Sequence, residues 1–288
     1  MKLQTIVDIN PSEWKIGYED KILMLGSCFS DEIGRQMEER KMQVTCNPFG
    51  TLYNPLSIAQ AIHMTELPEL VEHDGLWHSM AHHGSFSRAT KEEAEKAVAE
   101  SIETMQRALE EATVVIVTFG TAWVYELTDE RMKELTNERI VGNCHKMPEK
   151  NFTRRRLSVE EIVAAWQPIL AQNPEKKWLF TVSPIRHVRD GLHENQLSKA
   201  TLLMAVDQMV NSTWPNGKWQ YFPSYEIVMD ELRDYRFYAD DLVHPSSMAV
   251  EYIWERFCET FCTSQTINAM HIAHKEWKFA HHRPLHEA

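Results

Sequence analysis

Two adjacent side chains that can act as nucleophiles, Ser27 and Cys28, follow directly on the apolar run Lys21–Leu25. A charged segment beginning at Asp31 comes next, so the pattern predicts a strand, a tight turn at Gly26 and a helix. Such a turn lifts one side chain clear of the sheet, and the first N–H groups of the helix face the group that this side chain attacks. The competing interpretation is that Cys28 is a small core residue and that Ser27 only caps the helix.

Of the two side chains, Cys28 is the stronger candidate on chemical grounds. A helix N-terminus and a nearby imidazolium both lower the pKa of a thiol, so we expect Cys28 to be partly ionised at neutral pH. A thiolate in that position is a competent acyl acceptor. Ser27 would instead need a base within reach and an oxyanion hole arranged for its own hydroxyl.

A candidate base lies in the segment before the last apolar helix. Asp241 and His244 are three residues apart, so on a tight turn the carboxylate can reach the imidazole of the same segment. A carboxylate on one ring nitrogen fixes the tautomer and leaves the other nitrogen to take a proton from a nucleophile. Asp190 and His193 repeat this spacing. We prefer His244, because Pro245 keeps it in a loop, whereas His193 leads into an amphipathic helix.

Short apolar runs alternate along the chain with amphipathic, charge-rich segments, and these elements must position the candidate residues. This alternation predicts one α/β domain with a mostly parallel sheet, over residues 1–265, followed by a helical tail over 266–288. Ligands bind beyond the carboxyl ends of such strands, so the residues that follow each strand are candidates for a site. The predicted strands are Lys21–Leu25, Gln43–Cys46, Thr113–Phe119, Lys177–Val182 and Trp219–Phe222, and the predicted helices are Asp31–Arg40, Leu56–Met64, Lys91–Ala108, Ser158–Ala171, Gln196–Val210 and Ser247–Phe261. We predict an irregular excursion over Leu127–Thr153.

The composition excludes several classes of partner. A formal net charge of −12 argues against a nucleic-acid partner, because phosphate backbones are bound by basic surfaces. Five cysteines without paired spacing do not make a disulfide framework and favour a reducing compartment, so we expect a cytoplasmic protein. No apolar run reaches membrane-spanning length, and no membrane partner is expected. The oligomeric state is left open.

Five short motifs occur in order along most of the chain and together resemble the GSCFA family, from about Ile6 to Phe261. Ser30 stands where the family name has an alanine. The family in turn resembles the SGNH/GDSL hydrolase superfamily of esterases, lipases and carbohydrate acyl-esterases. That resemblance implies a three-layer α/β/α sandwich with a flavodoxin-like sheet, and acyl chemistry. The motifs are Gly26–Ser30 (GSCFS), Asn47–Thr51 (NPFGT), Gly142–Lys146 (GNCHK), Ser183–His187 (SPIRH) and Arg233–Tyr238 (RDYRFY).

The superfamily pattern carries over only in part. When its Gly-Asp-Ser block is aligned on Gly26, Cys28 falls at the position of the nucleophilic serine and Ser27 at the position of the aspartate. Its last block, Asp-x-x-His, matches Asp241 and His244. Its third block would fall on Gly120–Trp123, where the asparagine of the oxyanion hole is missing. Loss of one such donor typically costs about 10²–10³-fold in rate.

Other residues after the strands are candidates to supply that donor or to bind substrate. Gly50 matches the glycine whose N–H the superfamily uses in its second block. We favour Asn143 as the replacement donor, or Arg186 if the substrate is anionic. The remaining candidates are Asn47, Asn54, Gly120, Thr121, His145 and His187.

The sequence therefore predicts an acyl-ester hydrolase or acyltransferase that acts on a small or carbohydrate-linked acyl group, without a cofactor. The alternative is a non-catalytic carbohydrate- or nucleotide-binding module on a degenerate SGNH fold. A metal-dependent hydrolase is a third possibility, because His78, His82, His83 and the Cys144-His145 pair are of metal-binding type. Their spacing matches no recognised metal motif, so we predict no metal.

Overall fold

The fold is taken from a computed structural model that describes residues 4–128, 140–211 and 218–281. Its central element is a sheet of five parallel strands in the order β10-β9-β5-β1-β2. Counted along the chain, this is the 2-1-3-4-5 order of flavodoxin-like sheets. The strands of the described residues are β1 (Lys21–Gly26), β2 (Gln43–Cys46), β3 (Val71–His73), β4 (Leu76–His78), β5 (Val114–Phe119), β6 (Trp123–Leu127), β7 (Ile140–Val141), β8 (Phe152–Arg156), β9 (Lys177–Val182) and β10 (Lys218–Phe222).

Helices cover both faces of this sheet, which makes a three-layer α/β/α sandwich. Alternate residues of the inner strands enter opposite layers: Leu23 and Val115 pack on α2 to α5, while Met24 and Ile116 pack on α1, α6 and α7. Strands buried on both faces explain the continuous apolar runs that the sequence shows. The longer helices of the described residues are α1 (Cys28–Glu38), α2 (Pro55–His63), α3 (Lys91–Glu111), α4 (Val159–Gln172), α5 (Leu192–Val210), α6 (Ser247–Phe261) and α7 (Ser264–Ala280).

The predicted strands of the central sheet are confirmed to within one residue at each end. Two helices begin three or four residues earlier than predicted, and α3 ends three residues later, at Glu111. Helix α1 begins at Cys28 instead of Asp31, because the Ser27 side chain caps it by accepting the N–H of Phe29. Helix α5 begins at Leu192 instead of Gln196, after Gly191 at φ 85°. His193 therefore lies in the first turn of α5, as the sequence predicts.

Two small antiparallel sheets were missed by the sequence analysis. Strands β3 and β4 form a hairpin, and β6 pairs with both β7 and β8 in a three-stranded sheet. The predicted irregular excursion Leu127–Thr153 is thus wrong at both ends, where Leu127 closes β6 and Phe152 opens β8, and at Ile140–Val141, which is strand β7. Its residues 129–139 lie outside the described part of the chain. These strands are two to five residues long, too short for their alternation to be recognised in the sequence.

Gly26 sets the junction between the central sheet and α1. Its φ is +134°, and a Cβ there would lie 2.1 Å from the carbonyl oxygen of Thr118 on β5. Only glycine permits this close approach of β1 to β5. The strand order reverses direction between these same two strands, and a crevice opens there at the carboxyl edge of such sheets.

No helix in the described ranges is long and apolar enough to cross a membrane.

Candidate functional site

The two candidate nucleophiles have different environments at the start of α1. Ser27 is 1% exposed, and its Oγ accepts the N–H of Phe29 at 3.3 Å as the helix cap. Cys28 is half-buried and is the first residue of the helix, so its N–H has no acceptor inside the helix. Accessibility and position therefore favour Cys28 over Ser27 as the group that meets a substrate.

The pKa of the Cys28 thiol is raised, so the prediction that its pKa is lowered overall is wrong. Burial is the main cause of the increase, and the carboxylate of Asp31 adds to it. The N–H groups of Cys28 and Phe29 act in the opposite sense but do not offset burial. Cys28 is therefore a protonated thiol at neutral pH, and its attack on a substrate requires a base that removes the proton.

The loop before α6 brings the predicted base and its partner together. His244 Nδ1 donates to Asp241 Oδ2 at 2.5 Å, and the His244 N–H donates to Asp241 Oδ1 at 2.9 Å. These two hydrogen bonds, with one from the N–H of Val243, lower the pKa of Asp241 to about 2. The carboxylate holds the proton on Nδ1, so Nε2 of a neutral His244 is the free acceptor. Pro245 follows in the loop and pairs with Tyr238, as an isolated bridge.

His187, one of the candidates for substrate binding, lies close to the nucleophile turn, a contact that the sequence did not predict. A Cβ built on Gly120 would lie 3.4 Å from His187 Nε2 and 3.4 Å from Ser27 Cβ. The ring packs edge-on against Tyr53 at a centroid distance of 5.7 Å. Burial lowers the pKa of His187 to about 4; the cations Lys199 and Arg154 act in the same direction, as does the nearby His244. His187 is accordingly neutral at pH 7, and it lies within electrostatic range of His244.

Most of the predicted oxyanion donors already have acceptors in the protein. Asn47 accepts the N–H of Gly26 and donates to Asp31, while the Gly50 N–H donates to the carbonyl oxygen of Asn47. The N–H groups of Gly120 and Thr121 both donate to the carbonyl oxygen of Tyr53. These residues shape the loops around Cys28, and a role for any of them as an oxyanion donor stays a prediction.

Three further candidates are engaged in their own loops. Asn54 caps α2, and its amide donates to the Oγ of Ser57 at 2.8 Å. The Oδ1 of Asn143 accepts the N–H of His145, whose Nε2 is 2.8 Å from the carbonyl oxygen of Ser79. Burial lowers the pKa of His145 to about 4. Asn143 and His145 thus brace the loop after β7 against the segment that follows β4.

Two basic side chains lie at the carboxyl edge of the sheet without a carboxylate partner among the described residues. Lys199 is 1% exposed, and its Nζ donates to the carbonyl oxygens of Gly120 and Ser183 at 2.6 Å each. Arg186 is half-buried, and its Nε has no hydrogen-bond partner in the described part of the chain. Lys199 was missed because a lysine within an amphipathic helix is usually solvated; its only signal is that it shares a buried face with Asn195 and Ser198.

No group of three or more metal-ligating side chains with suitable geometry occurs within the described residues. The histidines that suggested a metal site have other partners. His82 lies between the hydroxyls of Ser79 and Ser101, and His78 is 2.7 Å from Ser87 Oγ.

The chain matches the model of the GSCFA family over residues 21–257, a span that includes the α1 turn, His187 and the Asp241–His244 loop. No curated protein matches the chain.

Proposed function

Since the chain belongs to the GSCFA family, whose motifs resemble the SGNH superfamily, we propose that it is an acyl-ester hydrolase or acyltransferase with Cys28 as its nucleophile. One observation carries the proposal. A half-buried cysteine begins α1 at the carboxyl edge of a parallel sheet, and an Asp–His pair with a free Nε2 lies in the loop before α6. A nucleophile, a base and a group that orients the base are the elements of a catalytic triad.

The raised pKa of Cys28 determines how the first step proceeds. His244 Nε2 removes the thiol proton as Cys28 Sγ attacks the acyl carbon, so a neutral thiol–imidazole pair reacts without a resting ion pair. The Sγ–C bond forms, and the π electrons of the carbonyl move onto its oxygen. When this oxyanion collapses, the bond to the leaving group breaks and His244 returns the proton to that group. The product is a thioester on Cys28.

The second step transfers the acyl group to water or to a hydroxyl. His244 now removes a proton from that acceptor, which attacks the thioester carbon, and Cys28 leaves as the thiol. Asp241 stabilises the imidazolium in both steps and stays ionised, because its hydrogen bonds lower its pKa to about 2. Water as acceptor gives an esterase, and a sugar hydroxyl gives an acyltransferase.

Arg186 favours a substrate that carries an anionic group. Its guanidinium has a buried Nε without a partner among the described residues, and its Nη1 lies 3.9 Å from the sulfur of Met229. Arginine binds carboxylates and phosphates in a bidentate manner, so such a group would satisfy it. Succinyl and acetyl esters of one alcohol test this: Arg186→Met should lower kcat/KM for the succinyl ester selectively, and an equal loss for both would exclude the role.

A degenerate binding module is the second candidate, because the superfamily asparagine is absent at Gly120–Trp123. Turnover separates the two functions. The protein should hydrolyse p-nitrophenyl acetate, or transfer acetyl from acetyl-CoA to a sugar, and Cys28→Ala and His244→Ala should each abolish this activity. Cys144→Ala is the matched control, because Cys144 is equally half-buried but lies in the loop after β7. Full activity in both Cys28→Ala and His244→Ala would refute the proposal.

We place the protein in the cytoplasm as part of the same proposal, because all five of its cysteines are free thiols.

A further inference from the structure

The imidazole of His187 lies against Gly120, close to the nucleophile turn at Ser27. Residue 120 has no side chain, and a Cβ there would have three close neighbours: the carbonyl oxygen of Tyr53 at 3.1 Å, and His187 Nε2 and Ser27 Cβ at 3.4 Å each. Gly120 matches the glycine of the superfamily's third block, whose missing asparagine would fall two residues later, on Ala122. The ring of a residue on the loop after β9 therefore reaches the place that a residue after β5 leaves empty.

The ring of His187 is held in this position. The backbone N–H of His187 donates to Oδ1 of Asn195 at 2.9 Å, and Asn195 is 1% exposed in the first turn of α5. Tyr53 packs against the ring edge-on. Within the described ranges, neither ring nitrogen of His187 has a hydrogen-bond partner. A fixed ring with an unused nitrogen is a preorganised donor.

The charges around His187 suit a neutral donor. Burial disfavours the imidazolium, as do the positive charges of Lys199 and Arg154, and the pKa of His187 is lowered to about 4. The neutral imidazole of His187 does not compete with His244 for the thiol proton, because only His244 has a carboxylate hydrogen-bonded to its Nδ1. A neutral histidine that polarises a carbonyl is a known solution to such a site.

The neighbouring backbone donors are already engaged. The N–H groups of Gly120 and Thr121 both donate to the carbonyl oxygen of Tyr53, at 2.8 and 2.9 Å. The N–H of Cys28 at the start of α1 is free of an intrahelical acceptor. An oxyanion on a carbon bonded to Cys28 Sγ therefore has one backbone donor there and needs a second from elsewhere.

We propose that His187 is a catalytic residue whose Nε2–H donates a hydrogen bond to the oxyanion formed when Cys28 attacks an acyl carbon. The inference rests on the proposed acyl chemistry. The oxyanion accepts hydrogen bonds from the Cys28 N–H and from His187 Nε2–H, while the thiol proton goes to His244. The His187 proton stays on Nε2 throughout and is shared only while the negative charge persists. His187 thus takes the role of the missing asparagine.

The test compares two reactions of the same thiol. Acylation of Cys28 by p-nitrophenyl acetate passes through an oxyanion, whereas alkylation by iodoacetamide is a direct displacement at carbon without one. His187→Leu should slow acylation by about 10²–10³-fold and leave alkylation unchanged. His187→Gln, which keeps a neutral N–H donor, should recover part of the acylation rate. His193→Leu is the matched control, an exposed histidine in the first turn of α5, and should change neither rate.

Each outcome decides between alternatives. Unchanged acylation in folded His187→Leu would overturn the oxyanion role of His187 but leave the proposed function intact. Loss of both acylation and alkylation would mean that His187 acts on the thiol proton, which would also overturn its oxyanion role. If the wild-type protein is not acylated at all while iodoacetamide still labels Cys28, the proposed function fails and this inference with it. Should His187→Leu not fold, His187→Phe tests the same contact, because it keeps an aromatic ring against Tyr53 but has no hydrogen-bond donor. Acylation should then fall with alkylation unchanged, and normal acylation would overturn the inference.

Discussion

Asp241 binds His244 through both of its carboxylate oxygens, Oδ2 to the ring Nδ1 at 2.5 Å and Oδ1 to the backbone N–H at 2.9 Å. One side chain therefore fixes both the tautomer of the imidazole and the turn of the loop that carries it. The side chains of both residues are 50% exposed, so the free energy of the pair contributes little to stability. Under the proposed function, the pair serves to orient the imidazole of His244.

Asp241→Asn should therefore lower kcat/KM by about 10²–10⁴-fold and leave the melting temperature nearly unchanged. The amide no longer stabilises the imidazolium and permits the wrong tautomer. Asp240→Asn, the exposed neighbour, is the control and should keep full activity. Equal effects of the two substitutions on kcat/KM would remove Asp241 from the mechanism.

The raised pKa of Cys28 predicts how its alkylation depends on pH. Its rate with iodoacetamide should be low at pH 7 and increase above pH 9, without the plateau near neutrality that a preformed thiolate shows. Asp31→Asn should shift this profile to lower pH, because Asp31 is the largest electrostatic cause of the raised pKa. Cys144, whose pKa burial raises to about 11, should react more slowly than Cys28 throughout. A plateau for Cys28 below pH 7 would restore the ion-pair mechanism.

Lys199 links the ends of β5 and β9 beneath the site. Lys199→Met leaves the carbonyl oxygens of Gly120 and Ser183 without their donor, so the free energy of unfolding should fall by ~2–4 kcal/mol. The same change removes a positive charge near His187, so the His187 pKa should rise from about 4 toward its usual value. Chemical denaturation and NMR titration of the ring measure the two effects. Lys96→Met on the exposed face of α3 is the control, and an unchanged His187 pKa in Lys199→Met would contradict the electrostatic link.

Three buried histidines should make the protein acid-sensitive. The pKa values of His82, His145 and His187 are lowered to about 3, 4 and 4, in each case mainly by burial. Between pH 6.5 and 4 the unfolded chain binds protons that the folded chain does not, so stability must rise with pH across this window. Glu226, whose pKa burial raises, acts in the opposite sense and reduces the slope. Denaturant titrations at pH 5 and 7 measure the difference, and equal midpoints would contradict the assignment of neutral histidines.

The parts of the site that are local in sequence were predictable, and those that depend on packing between distant segments were not. The strand–turn–helix at Gly26 follows from a change of hydrophobic pattern, and the Asp241–His244 contact follows from a spacing of three with a proline behind it. The position of His187 beside Ser27 depends on the β1–β5–β9 order and on the absence of a side chain at Gly120. The hydrophobic periodicity of a single segment does not predict a contact between two distant segments such as this one.

The electrostatics were least predictable, because burial decides them. The sequence indicates a helix N-terminus that lowers the pKa of Cys28, but it does not indicate how deeply the thiol lies or that Asp31 acts on it. The sequence predicts Lys199 to be an exposed lysine, because helical periodicity does not show which neighbouring segments cover a side chain. Burial arises from the tertiary contacts of α5 with β9 and β10.

The most direct measurement is mass spectrometry of the protein after reaction with p-nitrophenyl acetate and, separately, with acetyl-CoA. We expect one acetyl group on Cys28, released by neutral hydroxylamine as a thioester is, absent in Cys28→Ala and formed far more slowly in His244→Ala. An acetyl group on Ser27 that resists neutral hydroxylamine, or wild-type turnover by Cys28→Ala, would contradict the assignment of Cys28 as the nucleophile.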